Sequence, residues 1–529
     1  MEAGEQQAGQ GSSFAPPATI AEDPALPKLR PACLSYSEVL AQSVSVIAPS
    51  TVPAAVLGLI YAKAGNATWL SFLLGILGLI LVSLNINQFA RRSASPGSLY
   101  SYIVQGLGPT AGILGGWALL FGYMLTGMST LCGFALIANV LLKQLVGVQV
   151  SILGLFASAV LGTFYIAHRA IRLSARTMLA FEGLSLLFVL ILGAKIWSST
   201  GFAIDTSQLT LHNAPPGGAL AGVVLVVFGF SGFESATALG DEAKDPLRTI
   251  PRSVIQSVVF AGLFFIAMSY IVVLGFPLAG GASLAQSEAP LNALANASGW
   301  RGLGIAINVG ILLSFFSCTL ASINSTARIL FSMGRYGLVP DALGSAHVEN
   351  RTPHVAVALA ALITFSVPAA LYSSGVGAFD CQGIFGTLCS FGFIVVYILI
   401  SVAAPVYLAS LGKLTKRSVA CAVGGVAFML LPLIGTVGLP GSRLFPPPDK
   451  TGLRLVAVFA GYLAVGLGWL YVRRTRRPKM ISRMKSAIES VEREFRGSPT
   501  VTVSYLPERV RIKDVPPLEQ PSIRKAEAQ

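Results

Sequence analysis

Two stretches of this sequence break otherwise apolar helices in ways that expose backbone. The first is Val46-Ile47-Ala48-Pro49-Ser50-Thr51-Val52-Pro53, with two prolines four residues apart. Each proline lacks an N–H donor, and its ring clashes with the preceding turn. The second is Phe228-Gly229-Phe230-Ser231-Gly232-Phe233-Glu234, two glycines and a carboxylate inside an apolar run. Hydrocarbon offers the backbone no hydrogen-bond partner, so such breaks persist at membrane depth only where protein covers them or a cavity adjoins them. Unwound N–H groups and half-helix N-termini attract a carboxylate, and freed carbonyls hold an ammonium or a cation. In the first break Ser50, Thr51 and Val52 keep their N–H groups, whereas the prolines have none. One proline kink alone reads as structural. Two breaks in register, one carrying a charge, read as a binding site.

The composition says what must position these breaks. Of 529 residues, 53% are hydrophobic and only 11% charged, less than half the charge that soluble surfaces need. The stretch from Ser93 to Leu142 contains no Asp, Glu, Lys or Arg. A soluble enzyme, a disordered chain and a disulfide scaffold are excluded, and an all-α polytopic membrane protein remains. Twelve apolar stretches are long enough to cross about 30 Å of hydrocarbon. They are 39–62, 67–90, 110–142, 150–167, 177–199, 217–239, 253–276, 302–334, 354–373, 382–410, 417–438 and 453–472. Alternate connections carry fourteen basic residues against seven on the other side, which predicts both termini in the cytoplasm. The net charge of +14 does not imply nucleic acid, because 14 of the 37 basic residues lie at or beyond Arg473. That basic run reads as an anchor against anionic lipid, with a helical stretch over 480–495 as a second, regulatory reading. The first 35 residues read as a disordered tail.

The broken spans open two successive blocks of five, which is the pattern of a transporter built from inverted repeats. Expected divisions are 1–35 for the N-terminal tail, 36–236 for the first repeat and the start of span 6, and 237–410 for the rest of the second repeat. Spans 11 and 12 occupy 411–473, and a basic tail follows over 474–529.

The stretch from Gly232-Phe-Glu234 through Gly240-Asp-Glu242-Ala-Lys-Asp-Pro246 to Pro251-Arg252 resembles the signature of the amino acid–polyamine–organocation permeases. Three further segments agree: Gly97-Ser98-Leu99-Tyr100-Ser101-Tyr102 with Gly106-Leu-Gly108-Pro109, then Gly116-Trp117 with Tyr123, then Ala327-Arg328 through Gly334-Arg335 to Pro340. The resemblance covers roughly 36–473. It implies a LeuT-type 5+5 inverted repeat with twelve transmembrane helices, and secondary transport of an amino acid or related amine coupled to a proton or sodium gradient. By position, it puts substrate at Ala48, Ser50, Thr51 and Val52 of the first break and at Phe228, Gly229, Phe230 and Ser231 of the second. Leu120, Tyr123 and Met124 fall where the third helix of relatives faces the pocket. Phe228 corresponds to an aromatic gate, and Glu234 to a carboxylate linked to gating. Some proton-coupled relatives carry a lysine where Ser185 stands here, so that coupling group is absent. Ser317 and Thr319 are candidate hydroxyl ligands for sodium. The first break also lacks the glycines of many relatives.

An intramembrane carboxylate is costly enough to mark function. Glu234 and Glu182 are the two here, although Glu182 follows Arg176 by six residues and reads as paired near the cytoplasmic face. Asp241, Glu242 and Arg252 after span 6, with Arg328 and Arg335 at the end of span 8, read as an inner gate of ion pairs or as a solvated loop. His168, His212, His347 and His354 fall in loops or at span ends with no second ligand nearby. No cofactor or metal is implied. No phosphate-binding loop of a primary pump occurs. A channel, or a non-transporting nutrient sensor on the same fold, remains as the alternative. The expected location is a plasma or inner membrane, the expected partners are the small-molecule substrate, the coupling ion and the bilayer, and the oligomeric state is open.

Overall fold

The computed structural model describes residues 29–476 except 95–96, 281–282 and 288, together with 478, 481–482, 484–485 and 488. The tail over 1–28 and most of the basic tail, including most of 480–495, lie outside the described residues. In chain order the helices are α1 (Tyr36–Ile47), α2 (Leu57–Ala64), α3 (Thr68–Ala90), α4 (Ser98–Leu107), α5 (Pro109–Val146), α6 (Ile152–Arg169), α7 (Ile171–Ser199) and α8 (Thr206–Leu209). There follow α9 (Gly218–Gly229), α10 (Pro246–Gly275), α11 (Pro290–Ala297), α12 (Arg301–Arg335), α13 (His354–Ser373), α14 (Ala378–Ser410), α15 (Lys416–Val437) and α16 (Lys450–Arg476). No strand occurs among the described residues.

The helix ends follow local chemistry. Pro109 opens α5 and Pro246 opens α10, where a missing N–H costs nothing. Gly147 closes α5 in the left-handed conformation that favours glycine. The side chains of Ser35 and Glu38 cap α1 reciprocally, and Thr415 accepts from the Ser418 N–H at the start of α15.

Among the described residues, ten helical stretches are long and apolar enough to cross a membrane. One of them, Tyr36–Ala90, runs for 55 residues. At ~1.5 Å per residue that would be about 80 Å, more than twice the hydrocarbon thickness. It holds two crossings, separated by the tight turn Gly65–Ala67 with Gly65 at φ +54°. The sixth expected crossing is missing from the ten because its helix stops at Gly229, after only 12 residues. Counting both, the arrangement is consistent with the twelve-helix LeuT-type fold.

Helices α5, α12 and α14 form the centre, with 61–67% of their most apolar windows buried, against 22% for α15 and 17% for α16. The outer helices present Val423, Leu430, Val465 and Leu467 outward, as a lipid-facing surface requires. Among the central helices, small residues set the approach. A Cβ on Gly392 of α14 would lie 2.4 Å from the Ala118 carbonyl of α5, so backbone meets backbone there. The connection between α10 and α12 folds over α2, where a Cβ on Gly58 would meet the Leu284 carbonyl at 2.8 Å.

Candidate functional site

The first break begins where α1 ends. Ala48 sits in the left-handed region (φ 48°, ψ 64°), a conformation that costs a non-glycine residue about 1–2 kcal/mol. Its carbonyl accepts from both the N–H (2.9 Å) and the hydroxyl (2.8 Å) of Thr51. The chain resumes as a π-helical turn, Val52–Val56, and then α2. Pro49 and Pro53 prevent a regular α-helix here, as the sequence predicts.

The second break follows α9. Phe230 to Glu234 leave the α-helical path, with Gly232 at φ +86°, and the chain re-forms as the 3-10 turn Ser235–Leu239. A Cβ on Gly232 would fall 2.2 Å from Val46 Cγ1, so the two breaks touch at this glycine. The second break is also tied to α1: the Ser235 hydroxyl donates to the Gln42 carbonyl (3.1 Å), and the Ala236 N–H donates to Ser43 Oγ (3.0 Å).

Glu234 is fully buried. The Tyr123 hydroxyl of α5 donates to its Oε1 at 2.8 Å, and the Tyr397 hydroxyl of α14 donates to its Oε2. Tyr397 also accepts from the Gly232 N–H (3.1 Å), so one tyrosine fixes both the carboxylate and the break. No sequence signal pointed to Tyr397, which lies 163 residues from Glu234.

Between the breaks lies a cavity of about 80 Å³, measured to the centres of water-sized occupants. Of the residues expected there, Ala48, Thr51, Val52, Phe228, Gly229 and Ser231 line it. The others point elsewhere. The Ser50 hydroxyl accepts from Ser185 at 2.6 Å, Tyr123 is occupied by Glu234, and Phe230 packs edge-on against Phe265 at 4.9 Å. Leu120 is buried and Met124 packs against the core, both nearer the start of α5 than its cavity-facing residues Thr126, Ser129 and Thr130. Sequence reading also missed Phe315 and Cys318 of α12 and Gln382 and Cys389 of α14, all in the lining. Apolar helix residues give no sign of which face meets a cavity.

Glu182 requires a correction. The sequence reading placed it paired and solvated near one face, but it is only 2% exposed. Both its oxygens accept from the Ser314 hydroxyl (3.1 and 2.9 Å), and the Ser50 N–H of the first break donates to it. No ion pair among the described residues includes it. The cation next to it in sequence, Arg176, bonds Glu38 instead at 3.2 Å. Ser317 donates to Ser45 (2.9 Å), joining α12 to α1, while Thr319 donates to the Phe315 carbonyl of its own helix (2.9 Å) and pairs with Thr130.

At the end of the bundle that carries most of the basic loops, Arg328 and Glu242 form a bidentate ion pair. Nε donates to Oε2 at 2.6 Å and Nη2 to Oε1 at 2.9 Å, with side chains 1% and 0% exposed. Of the other residues grouped with them, Asp241, Arg252 and Arg335 are exposed, and Arg335 stacks over Phe331 at 5.2 Å. The segment before α1 runs beside this pair. Leu34 bridges to Ala243 in parallel fashion, the Cys33 and Leu34 N–H groups donate to the Glu242 carbonyl, and Arg172 donates twice to the Cys33 carbonyl. Burial, then the nearby Glu242 charge, pushes the Cys33 thiol above its ordinary value. On the same side, folding brings together three of the four histidines, which spacing in the sequence does not show. His168, His347 and His354 have ring centroids 5.4–6.4 Å apart in edge-to-face pairs, not converging on an ion.

The family model described as amino acid permease matches residues 43–436. The chain is 25% identical over 315 residues to a branched-chain amino acid permease of Bacillus subtilis, covering 55% of this chain and 65% of that protein. It is also 25% identical over 304 residues to a low-affinity putrescine importer of Escherichia coli, with 55% and 65% covered. An uncharacterized transporter of Mycobacterium tuberculosis is 25% identical over 450 residues, 83% of this chain and 91% of that protein. The chain thus spans somewhat less than two thirds of these first two relatives, and the family-model match includes both breaks, Glu182, Glu234 and the Glu242–Arg328 pair. The chain belongs to the amino acid permease family.

Proposed function

We propose that the protein is a secondary permease that carries an amino acid or related amine across a membrane by alternating access. The observation that carries this reading is the meeting of two helix breaks at one small cavity. Each break alone would be a local irregularity, and together they supply backbone groups of both polarities at one depth. The divisions 36–236 (first repeat and the start of span 6) and 237–410 (the rest of the second repeat) are read as inverted repeats, and the motion as rocking of one helix bundle, which carries both breaks, against the surrounding helices. Both termini and the Glu242–Arg328 pair are read as cytoplasmic. That pair, together with the segment around Cys33, acts as the inner gate.

The coupling ion is read as a proton, carried by Glu182. A buried carboxylate without a cation costs several kcal/mol, and binding a proton offsets that cost. Glu182 touches the first break through Ser50 and α12 through Ser314, so its occupancy reports to both. Glu234, held by two tyrosines, reads as the group that fixes the second break.

The test is uptake into proteoliposomes from a panel of amino acids and polyamines, with proton and sodium gradients imposed separately. Saturable, stereospecific uptake with counterflow is expected, and a channel would give neither. Glu182→Gln should lose accumulation driven by a proton gradient while keeping counterflow at zero gradient. Uptake of no compound in the panel would sink the permease reading. Gradient-driven accumulation unchanged in Glu182→Gln would remove the coupling role.

A further inference from the structure

The cavity between the breaks is lined without a carboxyl, amine, guanidinium or imidazole group. Glu234, the nearest candidate to meet a cationic amine, is absent from the lining, because Tyr123 and Tyr397 take both its oxygens. Glu182 is absent as well. The polar part of the lining is backbone at the breaks, hydroxyls such as those of Thr51, Thr126 and Ser129, and the Gln382 side chain. The rest is aliphatic, aromatic or thiol.

We propose that this site takes a small neutral α-amino acid, and that it rejects diamines and amino acids with a charged side chain. The inference rests on the permease reading above. Dipoles from two helix breaks suit a zwitterion, whose opposite charges lie on one carbon and need no net counter-charge. A second ammonium or carboxylate would be buried without a partner, at a cost of several kcal/mol. Size sets the other limit. A buried cavity of about 150 Å³ holds a benzene ring, so a cavity of about 80 Å³ suits only a small side chain. That is the range from alanine to valine, well short of tryptophan. Putrescine would fit by size, so charge alone excludes it.

Phe315 sets the upper size limit. Its ring lines the cavity and is backed by Gly133 of α5, where a Cβ would lie only 2.6 Å from Cζ. Gly133→Ala must push the ring toward the cavity, and Phe315→Leu draws the wall back. One methylene in an apolar pocket typically changes discrimination by about 10–200-fold.

Two thiols make occupancy readable without transport. Cys318 and Cys389 both line the cavity, whereas the other four cysteines do not. The wild-type protein in proteoliposomes is treated with methyl methanethiosulfonate, and modification at each cysteine is read by peptide mass spectrometry. The treatment is repeated with L-alanine, L-valine, L-tryptophan, L-glutamate, L-lysine or putrescine present, alongside uptake of each. Alanine or valine is expected to slow modification of Cys318 and Cys389 at least tenfold at concentrations where the other four compounds do nothing. Phe315→Leu should extend protection to larger neutral side chains, and Gly133→Ala should weaken protection by valine more than by alanine. Protection by putrescine, lysine or glutamate equal to that by valine overturns the neutral-substrate inference and leaves the permease reading standing. Protection by none, with uptake of none, overturns both. Protection by tryptophan equal to that by valine overturns the size limit.

Discussion

Replacing Glu242 by Gln should cost far more than any exposed-charge change in this protein, and removing Arg328 as well should restore most of the loss. The pair is bidentate, at 2.6 and 2.9 Å, and both side chains are at most 1% exposed. Removing one partner leaves a guanidinium buried and uncompensated, at a cost of about 3–5 kcal/mol. The Asn324 carbonyl, 3.0 Å from Nη1, compensates only in part. At about 1.4 kcal/mol per tenfold, that cost is two to three and a half powers of ten in the folded fraction. Replacing both partners by apolar groups of similar volume is often nearly neutral. The expected order is therefore wild type close to Glu242→Leu/Arg328→Met, with Glu242→Gln and Arg328→Met each far below. Arg248→Ala breaks an exposed pair of 3.7 Å, with side chains 63% and 59% exposed, and serves as the contrast. Exposed pairs of this kind contribute about 0–1 kcal/mol, so no measurable change is expected there. The assay is the monodisperse fraction surviving a heat series, read by size-exclusion chromatography. Losses in the double variant that equal the sum of the single losses would refute the argument, because they would mean that each residue stabilises the fold independently of the other.

Three further outcomes follow from particular contacts. Cys33 is buried beside the same pair, and its thiol lies above the ordinary value because of burial and then the Glu242 charge. A maleimide added from the side that the basic loops mark as cytoplasmic in the proposed orientation should label it slowly at neutral pH and faster as pH rises. The folded Glu242→Leu/Arg328→Met variant should label faster at every pH, and equal rates would separate Cys33 from the gate. Gly392→Ala must force its methyl to within 2.4 Å of the Ala118 carbonyl, so expression as folded protein should collapse, whereas Gly183→Ala meets nothing within 4 Å and should be silent. Glu234→Gln turns one acceptor oxygen into a donor facing a tyrosine hydroxyl, costing about 1.5–3 kcal/mol for a charge-assisted bond. Its expected signature is a fall in uptake rate with folded yield largely kept, and unchanged uptake kinetics would remove the positioning role.

The parts of this molecule that the bilayer constrains were legible in the sequence. A backbone in hydrocarbon must be helical for about 20 residues, so the crossings stand out, and proline and glycine show where that rule is broken. What escaped was the direction in which side chains point. Glu182 illustrates the reason. Its helix starts at Ile171, not near residue 177, so at ~1.5 Å per residue Glu182 lies about 17 Å into the crossing. Six residues also turn a helix through about 600°, which carries Glu182 away from the face that Arg172 and Arg176 turn toward Cys33 and Glu38. Tyr397, 163 residues from Glu234, and His168, about 180 residues from His347 and His354, were illegible for a different reason, since partners brought together only by folding leave no spacing to read.

The hydrogen bonds around the first break also constrain how the proposed rocking can occur. Inside the moving unit, α1 and the second break are tied by Ser235 to the Gln42 carbonyl and by the Ala236 N–H to Ser43. Against the surrounding helices, α1 and the first break are held by an Arg176–Glu38 pair with an exposed arginine and by single hydrogen bonds, among them Ser185 to Ser50, Ser317 to Ser45, Gln42 to the Ala321 carbonyl and to Ser325, and the Cys318 thiol to the Val46 carbonyl. Each such bond contributes only about 0.5–1.5 kcal/mol net, because water replaces it when it opens. Each is therefore a contact of at most about 1.5 kcal/mol, small enough for binding of a substrate and a proton to open in turn. The Glu242–Arg328 pair lies outside that range unless water reaches it as it parts. On the gate reading, opening at this end hydrates the pair, and the Cys33 segment bonded to the Glu242 carbonyl is placed to control that hydration. Shortening or deleting residues 29–34 should then raise the inward-open population, seen as faster cytoplasmic labelling of the cavity thiols Cys318 and Cys389. Unchanged labelling would place the barrier to inward opening in the helices themselves.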